Sequence, residues 1–307
     1  MTGSRLAILG PTASGKSAVA MAVAVSEVGR RHGVELLSVD AMQVYRGMDI
    51  GTAKPTVDER ASVPHHLIDV VDASESFTVA RFQAESERAV RDIESRGGTP
   101  VFVGGTGLYL RAVVDELDIP GQWPEVRARL ERELAAEGPE GLHRRLVERD
   151  PTAASKMEPT NGRRIVRALE VCEGSGRPFS SFGPGVDTYP VSTVRQVALQ
   201  WDRAVLAERI ERRVHDMMDR GLVAEVADLL ARGMSRTAMQ ALGYKEMVDH
   251  LEGRASLDEA VATTIRRTRQ FAVRQERWFR RDPRVEWMRV EADPVTEVAP
   301  ALVASLT

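Results

Sequence analysis

The sequence is poor in cysteine and aromatic residues, and it contains no long apolar run. Its single cysteine, Cys172, cannot form an internal disulfide, which excludes a disulfide-stapled scaffold and predicts a reducing, cytoplasmic location. The N-terminus lacks the charged, apolar and cleavage regions of a signal peptide. The longest apolar stretch, 18–25, is much shorter than the roughly 20 residues that span a bilayer. We therefore expect no membrane anchor.

The chain also lacks a large excess of charge of either sign. A formal net charge of −3 excludes a protein that is basic throughout, so any contact with nucleic acid must come from a local patch. The N-K-x-D segment that reads guanine in GTP-dependent switches is absent from the sequence. The 307 residues, of which 43% are hydrophobic and 28% charged, are typical of a globular enzyme with one large or two modest domains.

Short apolar runs alternate with helical patterns in the first part of the chain. The runs 5–9, 34–40 and 100–105 have the near-continuous apolar character of strands that are buried on both faces. Residues 77–95 instead carry apolar side chains at the spacing of an amphipathic helix. This alternation predicts an α/β fold, with a P-loop NTPase-like parallel sheet core that is covered by helices on both faces.

The pattern changes near residue 118, where strand-like runs give way to helical segments punctuated by proline and glycine. We predict a P-loop α/β core at 1–117, an inserted all-helical lobe at 118–190, and the second part of the core at 191–307. Further elements are expected as a helix from Pro124 to Gly138, a helix capped by Asn161, a returning strand at 194–201, and helices at 203–219, 222–232 and 256–281. The last residues, rich in Ala, Val and Pro, are expected to form a loosely packed tail.

Residues 10–17 match the phosphate-binding pattern G-x-x-x-x-G-K-[ST] between an apolar strand and a helical segment. In such a P-loop, backbone N–H groups and the positive end of the helix surround a polyanion such as pyrophosphate. Lys16 adds a mobile positive charge, and Ser17 offers a hydroxyl ligand to Mg²⁺. The predicted diphosphate-binding residues are Gly10, Pro11, Thr12, Ala13, Ser14, Gly15, Lys16 and Ser17. The loop alone does not distinguish the pyrophosphate of ATP from that of an allylic diphosphate.

Asp40 follows the second apolar run, at the sheet edge where parallel α/β folds bind their ligands. Its carboxylate suits a Walker-B-like contact to Mg²⁺, a general base that accepts a proton from a nucleophile, or the cap of the next turn. Its position favours the two functional roles over the cap.

Further motifs follow the P-loop in a fixed order along the chain. They are SVDAMQVYRGMDIGTAKP (38–55), PHHLID (64–69), VGGTGLYLRA (103–112), PEVRARL (124–130), NGRRIVRALEV (161–171), RIERRV (209–214) and QALGYKEM (240–247). Together with GPTASGKS (10–17) they closely resemble the signatures of tRNA dimethylallyltransferases, also called isopentenyl-diphosphate:tRNA transferases. The resemblance spans essentially the whole chain, so it is far more specific than the P-loop alone.

The resemblance implies a reaction and its partners. A dimethylallyl group would pass from dimethylallyl diphosphate to the exocyclic amine of the adenosine 3′-adjacent to the anticodon, giving isopentenyladenosine and pyrophosphate. The implied macromolecular partner is tRNA, bound through its anticodon stem-loop and the inserted lobe, and the implied cofactor is Mg²⁺. The protein is expected to act as a monomer on a base that leaves its stack.

The resemblance also implies roles for individual residues. Asp40 is the expected general base toward the adenine, and Ala41 stands where family members normally carry serine. Lys16, Thr106, Arg209 and Arg213 complete the expected catalytic set, with the two arginines near the diphosphate. The expected tRNA contacts are Asp40, Ala41, Met42, Gln43, Thr106, Arg127, Arg163, Arg164, Ile165, Val166 and Arg167.

The segment 263–281 carries seven arginines and one glutamate. On a helix the arginines occupy one broad side, and Phe271, Trp278 and Phe279 are expected to face the core. This basic side suits a phosphate backbone, with pairing to acidic residues of the same chain as the alternative. For the arginines of 161–171, a solvated face is the corresponding alternative.

Other reactive residue types receive structural interpretations. His65 and His66 are adjacent, so they point to different sides of a strand, and no Cys or His cluster accompanies them. We expect a structural or substrate-adjacent role for them rather than a metal site. Cys172 lies on the apolar side of its predicted helix, and we expect a small core residue rather than a nucleophile.

Two functions of other classes stay open from the residues alone. A small-molecule phosphotransferase would bind ATP in the P-loop and use the arginine-rich lobe as a lid. A nucleotide-dependent switch or RNA-binding module would use the loop without group transfer. Neither explains why the other motifs resemble those of one family.

Overall fold

The structure, a computed structural model, describes residues 5–183 and 185–306. The remaining residues of the predicted domains, 1–4, Pro184 and Thr307, lie outside the described residues. The strands are β1 (Leu6–Leu9), β2 (Val34–Val39), β3 (Tyr45–Arg46), β4 (His65–His66), β5 (Val71–Asp72), β6 (Thr99–Gly104), β7 (Arg195–Gln200) and β8 (Val285–Arg289). The helices are α1 (Lys16–Val25), α2 (Glu27–Arg31), α3 (Val57–Ser62), α4 (Val79–Ser95), α5 (Gly107–Val114), α6 (Pro124–Glu137), α7 (Pro139–Arg149), α8 (Pro151–Ala154), α9 (Gly162–Ser175), α10 (Arg203–Asp219), α11 (Leu222–Arg232), α12 (Tyr244–Leu251), α13 (Leu257–Phe279) and α14 (Pro294–Ala304).

A parallel sheet in the order β4-β2-β6-β1-β7-β8 forms the centre of the larger unit, and β3 pairs with β5 separately. Along β1, Leu6 and Ile8 pack on one face of the sheet, whereas Ala7 and Leu9 pack on the other. Both faces are buried because helices cover them, as the continuous apolar runs indicate. The predicted α/β class with a parallel core is confirmed.

The carboxyl ends of β1, β2 and β6 meet at one edge of the sheet. Gly104 at the end of β6 is in register with Leu9 of β1 and with Val39 of β2. The residues that follow these strands are therefore neighbours, and they include the P-loop, Asp40 and Gly105. This is the edge at which parallel sheets place their ligands.

The chain forms two compact units, Met1–Asp115 with Tyr189–Thr307, and Glu116–Thr188. The predicted limits of the inserted lobe, residues 118 and 190, lie two residues further along the chain. In the smaller unit, α6, α7, α8 and α9 enclose a core that contains Leu130, Leu146 and Leu169.

Helix ends in the smaller unit follow the predicted signals. Pro124 is the first residue of α6, and Gly138 follows its last residue with a positive φ of 77°. Asn161 caps α9, because its side chain accepts a hydrogen bond from the Arg164 amide at 3.3 Å. These two sequence-based predictions are confirmed.

The helices predicted at 77–95, 203–219, 222–232 and 256–281 correspond to α4, α10, α11 and α13, and the strand predicted at 194–201 is β7. These predictions are confirmed to within two residues at each end. In the part of the chain that the structure describes, no helix is long and apolar enough to cross a bilayer.

The expectation of a loosely packed C-terminal tail is wrong. Residues 294–304 form α14, and the Asp293 side chain caps it by accepting hydrogen bonds from two backbone amides. Val298 and Leu302 are buried in the same core as α1. The prolines misled the prediction, because Pro294 occupies the first helical position, where a missing N–H costs little.

Replacing Leu302 by alanine tests whether α14 is part of the folded core. Leu302 is fully buried, so Leu302→Ala should lower the free energy of unfolding by about 2–5 kcal/mol. Ala301→Ser, at an exposed position of the same helix, is the matched control and should cost about 0.5 kcal/mol or less. Denaturant unfolding measures both values, and equally small effects would mean that α14 does not contribute to the core.

Candidate active site

The loop between β1 and α1 forms a cradle for an anion. Gly10 and Gly15 have φ values of +149° and +88°, which side chains rarely adopt. A Cβ atom on these glycines would also lie 2.8 Å from Ser14 Oγ and 2.5 Å from Pro294 Cγ, respectively. The first turn of α1, which is fully described, contains no acidic residue, so its N–H groups and positive end remain directed at the loop.

Lys16 and Arg213 bring positive charge to this loop. Lys16 Nζ donates to the Pro11 carbonyl oxygen at 3.3 Å, and burial together with the charge of Arg213 lowers the pKa of Lys16 to about 8. Arg213 donates to the Thr12 hydroxyl at 3.2 Å, and burial lowers the pKa of its guanidinium. Both cations lose hydration without a full set of anionic partners, so a polyanion in the loop would stabilise them.

Arg209 contacts the loop from the adjoining turn of α10. Its Nε donates to the Ala13 carbonyl oxygen at 3.0 Å, and its guanidinium carbon lies 4.3 Å from the centre of the Trp201 ring. Trp201 Nε1 in turn donates to the Ser14 carbonyl oxygen at 2.8 Å. Burial lowers the pKa of Arg209. Arg209 and Trp201 thus hold the backbone of the loop in place and add a third positive charge beside it.

Asp40 supplies a carboxylate to the cavity that Lys16 and Arg213 also line. Its Oδ1 accepts hydrogen bonds from the Met42 amide at 2.8 Å and from the Gln43 amide at 3.4 Å. No group in residues 5–183 or 185–306 donates a hydrogen bond to its other oxygen, Oδ2. The carboxylate is therefore oriented by the following turn and keeps one oxygen available to a ligand.

The cavity is lined by both a polar and an apolar set of residues. Its polar residues include Thr12, Lys16, Ser17, Asp40, Gln43, Lys54, His65, Arg213 and Gln275. Its apolar residues include Met21, Leu36, Ile68, Val103 and Phe271. A ligand with an anionic head and a short hydrocarbon group would match both parts.

Thr106 lies beside the turn that follows Asp40. Its hydroxyl accepts a hydrogen bond from the Ala41 amide at 3.2 Å, across the ends of β6 and β2. Ala41 and Met42 are partly buried against the core. The structure thus brings Asp40, Ala41, Met42 and Thr106 together, and their tRNA contacts stay a prediction.

The side chain of Gln43 is held mainly by hydrogen bonds to other residues of the protein. Its Oε1 accepts from the Ser38 hydroxyl at 2.7 Å, and its Nε2 donates to the carbonyl oxygens of Thr52 and Ala53 at 3.1 and 3.3 Å. These bonds engage both Nε2 protons and one Oε1 lone pair. Gln43 therefore holds the loop at 52–53 beside Asp40, and any tRNA contact from its side chain would use the remaining lone pair.

Two of the residues predicted to contact tRNA are core residues of the smaller unit. The side chains of Ile165 and Val166 are buried, because they lie on the side of α9 that packs against the neighbouring helices. Their assignment as direct contacts is corrected for this reason. Arg163 and Arg164 are exposed on the same helix, and their contacts with tRNA stay a prediction.

Arg127 and Arg167 share the buried carboxylate of Glu170. Arg127 Nη1 lies 3.4 Å and Arg167 Nη1 3.0 Å from Glu170 oxygens, and the Trp123 amide donates to the same side chain at 2.9 Å. Arg167 also donates to the Pro120 carbonyl oxygen at 2.8 Å. The two arginines are therefore held in fixed positions, and their contacts with tRNA stay a prediction.

Both interpretations of the basic segment 263–281, which contains most of α13 and the two residues after it, apply to parts of that segment. Three arginines pair with carboxylates of the same chain, in the pairs Arg267–Glu246, Arg269–Glu211 and Arg280–Glu276. Four others are exposed, and none of them forms an ion pair with a described residue. These four are Arg266, Arg274, Arg277 and Arg281.

The aromatic residues of α13 do not all face the core as expected. Phe279 is buried, and Trp278 packs so closely over Gly107 that a Cβ there would lie 2.0 Å from the indole ring. Phe271 instead lines the cavity, which corrects its assignment to the core. Helical spacing identified the inward side of α13, but not the cavity behind part of it.

Gln275 lines the cavity too, and the sequence-based assignment missed it. One signal was available, because Gln275 follows Phe271 by four residues and therefore lies on the same side of the helix. Its partners, Thr12 and Gly105, are more than a hundred residues away in sequence. Local patterns carry no information about such contacts.

The two adjacent histidines have separate partners. His66 Nε2 lies 2.6 Å from a Glu35 oxygen, and His65 Nδ1 lies 2.8 Å from the Val63 carbonyl oxygen. Burial lowers the pKa of His65. No cluster of three or more potential His, Cys, Asp or Glu ligands occurs among the described residues. Cys172 is a buried core residue, where burial raises the pKa of its thiol.

Comparison with known proteins identifies close relatives. The family model described as IPP transferase matches residues 43–282. A tRNA dimethylallyltransferase of Kineococcus radiotolerans is 56% identical over 287 residues, which cover 92% of this chain and 90% of that protein. The corresponding protein of Thermobifida fusca is 48% identical over 301 residues, covering 97% and 93%.

Solved structures resemble the chain over nearly its whole length. The full-length tRNA isopentenylpyrophosphate transferase from Bacillus halodurans is 39% identical with a TM-score of 0.69, covering 99% of this chain and 97% of that one. A eukaryotic dimethylallyltransferase acting on tRNA is 26% identical with a TM-score of 0.80, covering 98% and 78%.

The lowered pKa of Lys16 predicts how binding of an alkyl diphosphate depends on pH. Only the protonated amine attracts the anion, so affinity should fall about tenfold per pH unit once the pH exceeds the Lys16 pKa of about 8. Calorimetry between about pH 7 and pH 9.5 measures this fall. Lys16→Arg is the control. Because its guanidinium stays charged over this pH range, its affinity for the alkyl diphosphate should not change with pH. A constant affinity in the wild-type protein would contradict the assignment.

Proposed function

Because the chain belongs to the IPP transferase family, whose members compared above are tRNA dimethylallyltransferases, we propose that it prenylates tRNA. The donor is dimethylallyl diphosphate, and the acceptor is the exocyclic amine of the adenosine 3′-adjacent to the anticodon. The products are isopentenyladenosine and pyrophosphate. One observation carries the proposal beyond family membership: a phosphate loop with three cations shares a cavity with one oriented carboxylate, Asp40.

The acceptor amine is a weak nucleophile, since its lone pair is delocalised into the adenine ring. Its nitrogen forms a bond to the allylic carbon while the bond between that carbon and the diphosphate oxygen breaks with both electrons. Oδ2 of Asp40 accepts the proton that the amine loses, which keeps charge balanced at the new C–N bond. The ordering of Asp40 by the Met42 amide keeps this oxygen aligned with the acceptor.

Negative charge grows on the diphosphate as the C–O bond breaks. Lys16, Arg213 and the N–H groups at the start of α1 stabilise that charge, and their low hydration strengthens the effect. Arg209 holds the Ala13 carbonyl away from the anion by donating to it. The apolar residues that line the cavity, which include Met21 and Phe271, accommodate the five-carbon chain and exclude water from the reacting carbon.

The donor set of this cavity suits Mg²⁺. The Ser17 hydroxyl is a hard oxygen ligand that lines the cavity, and Mg²⁺ prefers such oxygens together with substrate phosphates. When bound, Mg²⁺ would neutralise part of the charge of the leaving pyrophosphate. We further propose that the protein acts as a monomer in the cytoplasm, where its single buried cysteine stays reduced.

The direct test supplies tRNA with one of two labelled donors. We expect label from [¹⁴C]dimethylallyl diphosphate to enter the RNA and to co-migrate with isopentenyladenosine after digestion. ATP labelled at the γ-phosphate should leave the RNA unlabelled. Label that enters the RNA only from ATP would indicate a phosphotransferase, and label from neither donor would indicate a binding module.

Asp40→Asn tests the general base. The asparagine side chain can still accept the Met42 amide, so tRNA affinity should stay within about twofold while kcat falls about 10²-fold or more. Asp58→Asn is the control, because Asp58 is exposed on α3 and does not line the cavity. Single-turnover prenylation measures the step, and a near-normal rate for Asp40→Asn would remove it as the base.

Exposed arginines at the C-terminal end of α13 and just after it are proposed to contact the tRNA backbone. The double variant Arg277→Gln, Arg281→Gln should reduce the magnitude of the slope of log affinity against log salt by about 1.5, at roughly 0.7–0.9 per phosphate contact. Arg289→Gln, at an exposed position on β8, should leave the slope unchanged. If both variants show the same slope as the wild-type protein, these arginines face solvent and do not contact the tRNA backbone.

A further inference from the structure

Gln275 is buried in the middle of α13, with 7% of its surface exposed. Its side chain lines the cavity that also contains Lys16 and Asp40. Most of the other polar residues in the second half of this helix face solvent. A buried carboxamide loses its hydration, and it is stable only where both of its ends find partners.

The carboxamide of Gln275 joins two loops that follow neighbouring strands. Its Oε1 accepts a hydrogen bond from the Thr12 amide at 2.9 Å, in the phosphate loop after β1. Its Nε2 donates to the Gly105 carbonyl oxygen at 2.9 Å, in the loop after β6. One loop offers a donor and the other an acceptor, so an uncharged amide satisfies both, whereas a carboxylate or a hydrocarbon side chain does not.

Gly105 leaves the space that this arrangement needs. A Cβ atom at Gly105 would lie only 2.2 Å from Gln275 Nε2, so any larger residue would displace the carboxamide. Its next contact, the Gly10 carbonyl oxygen, would be 3.1 Å away and would require a shift of only a few tenths of an ångström. The absence of a side chain at Gly105 thus makes room for Gln275.

Thr12 is held from two sides by these interactions. Its amide donates to Gln275, and its hydroxyl accepts from Arg213 at 3.2 Å. The Thr12 amide is therefore directed at the protein, and an anion must bind to the N–H groups that follow it in the loop. The position of those N–H groups depends on where Thr12 is fixed.

We propose that Gln275 is a positioning residue that holds the phosphate loop in its anion-binding conformation by joining it to the loop after β6. This inference rests on the proposed role of the loop in binding a diphosphate. Without the carboxamide, the Thr12 amide and the Gly105 carbonyl lose their partners, and the loop samples conformations in which fewer N–H groups converge on the anion. Binding of diphosphate weakens as a result, and tRNA affinity does not.

The first test compares Gln275→Met with Gln270→Met. Methionine preserves the length of Gln275 but makes neither hydrogen bond, and Gln270 is an exposed residue on the same helix. We expect Gln275→Met to weaken pyrophosphate binding about tenfold in calorimetry, with tRNA affinity within about twofold of the wild-type value. In turnover assays, KM for dimethylallyl diphosphate should rise more than kcat falls. Gln270→Met should match the wild-type protein in each measurement.

The second test uses the steric contact at Gly105. Gly105→Ala in the wild-type background should also weaken pyrophosphate binding, because the new methyl group displaces the carboxamide. In a Gln275→Ala background the same substitution should add less than about a twofold further loss, since the atom it would strike is absent. If Gln275→Met does not fold, Gly105→Ala in the wild-type background tests the proposal on its own.

Several results would overturn the proposal. Pyrophosphate affinity equal in Gln275→Met and Gln270→Met would show that the bridge does not position the loop. Parallel losses of pyrophosphate affinity, tRNA affinity and melting temperature would assign Gln275 a general packing role. Fully additive losses of pyrophosphate affinity from Gly105→Ala and Gln275→Ala would show that the two residues act independently.

Failure of the proposed function is distinguished by a different readout. A wild-type protein that binds pyrophosphate but does not prenylate tRNA contradicts the proposed function and leaves the comparison at Gln275 valid. A wild-type protein that does not bind pyrophosphate contradicts both.

Discussion

The dehydrated positive charge at the phosphate loop is the constraint on which the rest of the site depends. Burial lowers the pKa of both Lys16 and Arg213, and the nearby charge of Arg213 lowers the pKa of Lys16 further. Such a pair destabilises the ligand-free protein and binds a polyanion tightly when one arrives. On a fully solvent-exposed turn, water would compete with the loop for the anion, and the attraction between the cations and the anion would be much weaker. The catalytic proposal depends on this difference in hydration.

The surrounding structure holds these charges in position through hydrogen bonds that involve no carboxylate. Gln275 and Arg209 bind the loop backbone, and Thr106 binds the turn that carries Asp40. None of these contacts adds negative charge beside the anion site. In the smaller unit the positive side chains are held differently, because the buried Glu170 carboxylate orients Arg127 and Arg167 by ion pairing. An arginine has five N–H donors, so pairing with Glu170 leaves others available to phosphates.

The sequence predicted the centre of the site well because its elements are local. The P-loop pattern, the position of Asp40 after a buried strand and the parallel sheet together place the loop and the carboxylate at one edge. Errors arose where a local pattern has two structural meanings. Prolines near the C-terminus suggested a loose tail but begin and tolerate α14, and the apolar spacing of α13 placed Phe271 in the core although it faces the cavity.

Contacts between segments that are distant in the chain could not be predicted from the sequence. The bond between Thr12 and Gln275 joins residues that are 263 positions apart, and no spacing rule relates them. The family resemblance assigned Ile165 and Val166 to tRNA as part of one continuous segment, but helical geometry turns these two side chains inward. Physical periodicity is therefore the better guide within a segment, and the resemblance is the better guide to which segments share a site.

The proposed reaction requires that the partly buried cations Lys16 and Arg213 bind the pyrophosphate of the substrate. An NMR titration of the Lys16 side chain, identified by comparison with Lys16→Arg, measures the interaction at its origin. We expect a pKa of about 8 in the free protein and an increase of about one unit or more with saturating pyrophosphate, because a bound anion favours the protonated amine. A pKa that saturating pyrophosphate leaves unchanged would show that Lys16 does not bind the anion.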